Sequence, residues 1–215
     1  LLFMTFSSLG QGTVQFQNIT GTGVTGGSPI TNTLTGAKVP AGSSFLVQLY
    51  YGSVGTSEDR LVPVMSAPIG FSTPGFFNGG TRTLEKSVIG DCGTSRLQAI
   101  VQVRCWQASL GPDYGSALSC AGPGGVIGKS AVFTITTGDA CAMPPGIPAN
   151  LSGLRGFALV PCSPQPSLRI NDITVAEGND GTVNAVFEVT LSSMTDVPVS
   201  VAYYTADLSA VAGAD

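Results

Sequence analysis

The alternation of apolar and polar side chains begins with GTVQFQNIT, where Val14 and Phe16 alternate with Gln15 and Gln17. That is the period-two pattern of a strand with one face buried. SSFLVQLYYG sets Phe45, Val47, Leu49 and Tyr51 on one face, and LQAIVQVRCWQAS sets Leu97, Ala99, Val101, Val103 and Cys105 opposite Gln98, Gln102 and Arg104. Each predicts a strand that covers a core on one side only. SAVFTITTGD adds another, with Val132 and Thr134 alternating against Phe133 and Ile135. No stretch carries a helical period. The fold class predicted for residues 11–160 is all-β, an antiparallel sandwich or a jelly-roll-like module.

The rhythm breaks at CAMPPGIPANLSGLRGFALVPCSPQP. Its prolines remove backbone donors and fix φ, which predicts extended connector. LSGLRGFALV can still form a last strand of the first module, with Leu154, Phe157 and Leu159 buried. The boundary is predicted as a Pro-rich linker at residues 161–166. Three strands are predicted beyond it. SLRINDITVAEGN pairs Leu168 with Ile170 and then Ile173 with Val175, and the phase slip at Asn171–Asp172 predicts a bulge. TVNAVFEVTLS turns Ala185, Phe187, Val189 and Leu191 inward, and VPVSVAYYTAD puts Val199, Val201 and Tyr203 on one face. Three strands alone leave their edges and an apolar face uncovered.

Composition narrows the class. Only 10% of the 215 residues are charged, with 29 Gly, 14 Pro and no His, against about 25% charged in an average domain. The 43% hydrophobic content suffices to bury a core. The net charge of −4 divides unevenly: residues 1–160 carry +2 and residues 161–215 carry −6, with Arg169 their one basic side chain. Nucleic-acid binding would ask for a basic stripe instead. At the start, LLFMTFSSLG reads as the end of an apolar secretory segment with a small-x-small site at Ser8–Gly10, so residues 1–10 are predicted to be residual signal peptide. No later stretch approaches the roughly 18 apolar residues of a spanning helix.

Five cysteines, Cys92, Cys105, Cys120, Cys141 and Cys162, fit an exported protein in which disulfides form. Sequence leaves their connectivity open. Closeness along the chain favours Cys105 with Cys120, and Cys92 with Cys141 would then tie the ends of the same region, leaving Cys162 over. No pair has CxxC spacing and no His completes a zinc site.

Catalysis finds little footing. A Ser or Cys nucleophile usually needs a base, most often His. Glu58 and Asp59 are adjacent, and neighbours on an extended chain face opposite ways, unlike a glycosidase pair. GPGGVIGKS ends as a phosphate loop ends, with Gly128, Lys129 and Ser130, but Pro123 stands where the motif's first glycine belongs, so the stretch reads as a Gly-rich turn. Trp106, with Tyr50, Tyr51 and Tyr114, is the candidate glycan contact. The Asn-x-Ser/Thr triplets at Asn18 and Asn150 matter where a host glycosylates them.

INDITVAEGNDGTVNAVFEVTLS, VPVSVAYYTAD and AGAD, in that order, resemble the first half of a Calx-beta domain, the sandwich repeat of sodium/calcium exchangers, an integrin tail and many large bacterial surface proteins. The resemblance covers about residues 167–215. It implies a Greek-key sandwich truncated at Asp215, a chain that continues in its native form, and a poorly covered C-terminal part. It also implies calcium, held by Glu177 in the E-G-N turn, Asp207 in the T-A-D turn and Asp215, a hard cation taking oxygens from converging turns. Leu208 departs from the family, which usually has Gly there. The preceding module, through GQGTVQFQNIT, GSSFLVQLYYG, GFFNGGTRTL and GKSAVFTITTG, is similar to N-terminal modules of secreted bacterial proteins that carry surface-sorting signals.

The expectation is therefore a secreted, non-enzymatic cell-surface or extracellular-matrix protein, structural or adhesive. Its partners would be other surface proteins or polysaccharide, with no nucleic acid and no transmembrane segment in this stretch. The alternatives are a carbohydrate-binding accessory region of a larger enzyme and a fibre subunit that self-associates by strand addition.

Overall fold

The computed structural model describes residues 12–85, 98–120, 124–139, 144–163, 167–176, 181–192 and 199–204. The chain divides into two compact units, Leu1–Pro164 and Gln165–Asp215.

The first unit is an all-β sandwich. Its strands are β1 (Gly12–Gln17), β2 (Ile30–Asn32), β3 (Gly42–Ser53), β4 (Val62–Pro63), β5 (Ile69–Phe71), β6 (Asn78–Leu84), β7 (Gln98–Gln107), β8 (Val126–Lys129), β9 (Phe133–Thr136), β10 (Gly138–Asp139), β11 (Ala149–Asn150) and β12 (Phe157–Pro161). In the smaller sheet β1 pairs antiparallel with β6 and β10 and parallel with β11. The larger sheet runs β2-β12-β8-β7-β3-β4, with β5 also on β3 and β9 also on β7. Its axis is the antiparallel β3–β7 ladder, in register from Phe45↔Gln107 to Ser53↔Ala99.

The alternating positions meet between the sheets. Val14 and Phe16 from β1 and Leu84 from β6 pack with Val47, Leu49 and Tyr51 of β3, Val101, Val103 and Cys105 of β7, and Leu159 of β12. Leu154 and Leu159 are fully buried and Phe157 packs on this cluster, so β12 closes the module and runs through Pro161.

The expectation that these strands cover a core on one side only is corrected for β3 and β7. A second cluster forms on the outer face of the larger sheet from Tyr50, Ile100 and Trp106, with Leu61, Leu110, Tyr114 and Ala117 from connecting segments. The polar residues between Ile100 and Trp106 mask this second apolar face in the sequence. The stretch expected as a Gly-rich turn is corrected as well: residues 126–129 are strand β8. Gly128 is needed there because a Cβ would lie 2.8 Å from the Ala158 carbonyl of the neighbouring strand.

Asn18 ties one end of the sandwich together. Fully buried after β1, it donates from Nδ2 to the carbonyls of Ser28 (2.8 Å) and Gly75 (2.9 Å), and its Oδ1 accepts from the Phe77 amide (2.7 Å). Three loop backbones thus find partners in one side chain. The sequon at Asn18 is consequently closed to modification in the folded protein, whereas Asn150 is exposed.

In the second unit β13 (Leu168–Ile170) pairs antiparallel with β14 (Val189–Leu191). The ladder ends at Ile170↔Val189, and its pairs contain no bulge. The Asn171 amide still reaches the Glu188 carbonyl (3.2 Å), but the Glu188 amide donates to Asn171 Oδ1 (2.7 Å) instead of to main chain. The expected third strand is corrected: residues 199–204 form no ladder.

Replacing Asn18 by Ala strands the Ser28 carbonyl and the Phe77 amide in the interior and leaves the Gly75 carbonyl to the Ile30 amide alone. Chemical denaturation followed by circular dichroism is expected to show a loss of about 3 kcal/mol, since each unpaired buried group costs roughly 1–3 kcal/mol. A loss within about 0.5 kcal/mol, the range of an ordinary surface substitution, would contradict the role assigned to Asn18.

Candidate functional site

The outer face of the larger sheet gathers most of the chemistry of the first unit. Cross-strand register sorts it into rows: Leu46, Trp106 and Ile127; then Gln48, Arg104 and Lys129; then Tyr50 and Gln102. Arg104 and Lys129 are thus like charges directly opposite on β7 and β8, a destabilising pair when left alone. Glu58 resolves it. The 3-10 turn Glu58–Arg60 brings its carboxylate onto Lys129 as an ion pair, and Gln102 Nε2 donates to Glu58 Oε1 at 3.0 Å.

Arg104 is held on several sides. Its Nε donates to Gln102 Oε1 (2.8 Å) and its Nη2 to the Glu58 carbonyl (3.0 Å). Its guanidinium lies 4.0 Å from the Tyr50 ring centroid and 5.4 Å from that of Tyr114, in cation–π geometry. Gln102, buried, also donates to the Ser130 carbonyl, and Ser130 Oγ accepts from the Val103 amide. Gln48 donates to the Val64 and Ser66 carbonyls, while its Oε1 is buried with no partner among the described residues.

Electrostatics follow from these contacts. The hydrogen bond from Gln102, then that from Lys129, hold Glu58 below the usual glutamate range. Burial pushes the Tyr50 and Tyr114 hydroxyls up despite the nearby Arg104 charge. A carboxylate kept ionised is a poor proton donor, so the cluster suits charge neutralisation better than acid catalysis.

Trp106 does not stand at the surface as a glycan contact would. It is fully buried, its ring 5.9 Å from that of Tyr114 in an edge-to-face pair, and its Nε1–H donates to the Gly111 carbonyl at 2.9 Å. The segment that covers it runs outward from β7 through a 3-10 turn (Ala108–Leu110) and the short helix Tyr114–Ala117, capped by Asp113, which accepts from the Ser116 amide. Its apolar residues Leu110, Tyr114 and Ala117 face the sheet.

The cysteine pairing is also corrected. A disulfide joins Cys120 to Cys162, the residue expected to be left over, across 42 residues. Cys105 is free. The reason is alternation: Cys105 lies on the inner face of β7, fully buried, while Cys120 follows the helix on the outer face. Burial raises the Cys105 thiol far above its usual range, which makes it a core side chain without thiolate reactivity. Cys92 and Cys141 lie outside the described residues, as do the calcium candidates Glu177, Asp207 and Asp215. Among the described residues no group of three or more His, Cys, Asp or Glu side chains could hold a metal ion.

In the second unit, Leu168, Ile170, Phe187, Val189, Val201 and Tyr203 line an apolar groove of about 530 Å³. The side chains are left open to solvent, Phe187 at 53% and Tyr203 at 91% exposure. Single exposed apolar residues are ordinary, but a contiguous set along a two-stranded ladder marks a surface that other chain can cover.

Sequence reasoning missed Gln48, Gln102, Arg104 and Asn18. Amides at strand positions beside aromatics were the available signal for the first two. No family model matches the chain, and neither the curated proteins nor the solved structures yielded a match. No helix among the described residues is long and apolar enough to cross a membrane.

Glu58→Gln leaves Arg104 and Lys129 facing each other. Because both members of the ion pair are about half exposed, the expected loss is on the order of 0.5 kcal/mol and shrinks in high salt. The carboxyl is depressed in the folded protein, so its contribution is complete above the unfolded glutamate range and fades as pH falls through the folded value. Denaturation curves between about pH 7 and pH 3 should therefore converge for the two proteins at the acid end. Divergence that grows on acidification would refute the assigned role.

Proposed function

We propose that the protein is an exported, non-enzymatic component of a bacterial cell surface or extracellular matrix. The first unit serves as a rigid spacer and the second as the adhesive element. The observation that carries this reading is the Cys120–Cys162 bridge. A structural disulfide persists in oxidising compartments, and this one locks two distant parts of an all-β scaffold. The commitment of Glu58, Gln102, Arg104 and Lys129 to one another supports a scaffold role for the outer face. Calcium, held by Glu177, Asp207 and Asp215 as the Calx-beta resemblance implies, belongs to the proposal and would stiffen the second unit.

The exposed groove beside β13 and β14 favours a second reading, a fibre subunit that accepts a strand from another chain. The burial of Trp106 removes the main residue-level support for a carbohydrate-binding accessory region.

The test incubates the purified protein with insoluble polysaccharide and with surface-protein extract, in calcium or in chelator. Co-sedimentation is measured and released products are followed by mass spectrometry. Retention without product release, weakened by chelator and by Asp207→Asn, is expected. Turnover that disappears in Glu58→Gln would overturn the non-enzymatic reading.

A further inference from the structure

We propose that residues 108–120 form a lid, latched by the Cys120–Cys162 disulfide over an aromatic and guanidinium surface, and that reduction of this one bond opens the lid while the sandwich stays folded. The inference is independent of the function proposed above.

The connection itself is the first argument. Antiparallel neighbours such as β7 and β8 are ordinarily joined by about 2–5 residues, and long connections are typically lids or binding loops. Here the chain leaves β7 after Gln107, folds back across the outer face and reaches β8 only at Val126.

The second argument is what holds it. The helix Tyr114–Ala117 has four residues, too few to stand unaided. Its attachments are the side chains of Leu110, Tyr114 and Ala117, the Trp106–Gly111 hydrogen bond, and the bridge to the end of β12. The hydrogen bonds of Arg104 and Gln102 run to each other, to Glu58 and to Ser130, and none runs to the lid. The surface beneath therefore keeps its own hydrogen-bond framework when the lid departs and loses ring contacts, that of the Arg104 guanidinium with Tyr114 among them. It would present Trp106, Tyr50 and Arg104, with the unpartnered Gln48 Oε1 on the same face.

The latch is open to attack. Cys120 is buried, but Cys162 is partly exposed at the close of β12. A thiolate of a dithiol reductant attacks Cys162 Sγ and expels Cys120 as thiolate. The reductant's second thiol then closes on its own sulfur and releases Cys162. The reductant is oxidised to a cyclic disulfide by two electrons, and the two cysteines take up two protons.

The readout is the Trp106 indole proton, the one indole in the sequence. Its exchange with solvent is measured by nuclear magnetic resonance on the intact chain, oxidised and after treatment with dithiothreitol without denaturant. Mass spectrometry verifies the opened bridge. Removing a bridge across 42 residues should raise the open population by up to about 10³-fold, and the indole exchange rate with it. The backbone amides of β3 and β7 should keep their protection. The same acceleration is expected without reductant when Cys120→Ser and Cys162→Ser are combined; should that variant fail to fold, reduction of the native chain still decides. Indole exchange that stays slow after verified reduction would overturn the lid. So would acceleration of the indole and the β3–β7 amides together, because the bridge would then be stabilising the whole unit.

Discussion

The β3–β7 ladder is the interaction on which the first unit depends. It is the longest pairing among the described residues, and both of its faces are buried. An antiparallel sheet commonly leaves one face to water. Here the inner face meets β1 and β6 across the main core, and the outer face is roofed by chain excursions that carry almost no regular structure. Strands β4, β5, β8 and β9 of the larger sheet each pair directly with one of these two, and β12 and then β2 are added beyond β8.

That arrangement explains the mixed character of the outer face. A roof made of turns cannot cover a whole sheet, so polar side chains occupy the row between the apolar ones. Once there, Arg104 and Lys129 stand opposite each other, and the 3-10 turn at Glu58 supplies the neutralising charge. Among the described residues the second unit has no such cover. Its ladder is short, and Leu168, Ile170 and Val189 remain exposed beside it, a poor basis for independent stability in a two-stranded sheet.

Much of the inner face was legible in the sequence, because a strand buried on one side must alternate. Val14 and Phe16, and the run from Phe45 to Tyr51, announce their faces directly. The outer face was not legible. Ile100 and Trp106 are separated by Gln102 and Arg104, so no apolar period survives, and Leu110, Tyr114 and Ala117 sit in a segment with no period at all. The cysteine pairing escaped because distance along the chain does not say which face a thiol takes. Asn18 looked like a modification site because a sequon says nothing about burial. Of the candidate site residues, Trp106 was singled out for its ring. Its surroundings, which decide its role, come from segments distant in sequence or without pattern.

The central claim is that the doubly covered β3–β7 pair is the stability core of the first unit. Native-state hydrogen exchange with increasing urea tests it most directly. Amides along β3 and β7 should exchange last, and only through global unfolding, with β1, β6 and the lid segment opening at lower cost. If the β1–β6 amides outlast those of β3 and β7, or if β7 exchanges through local opening, the account is contradicted.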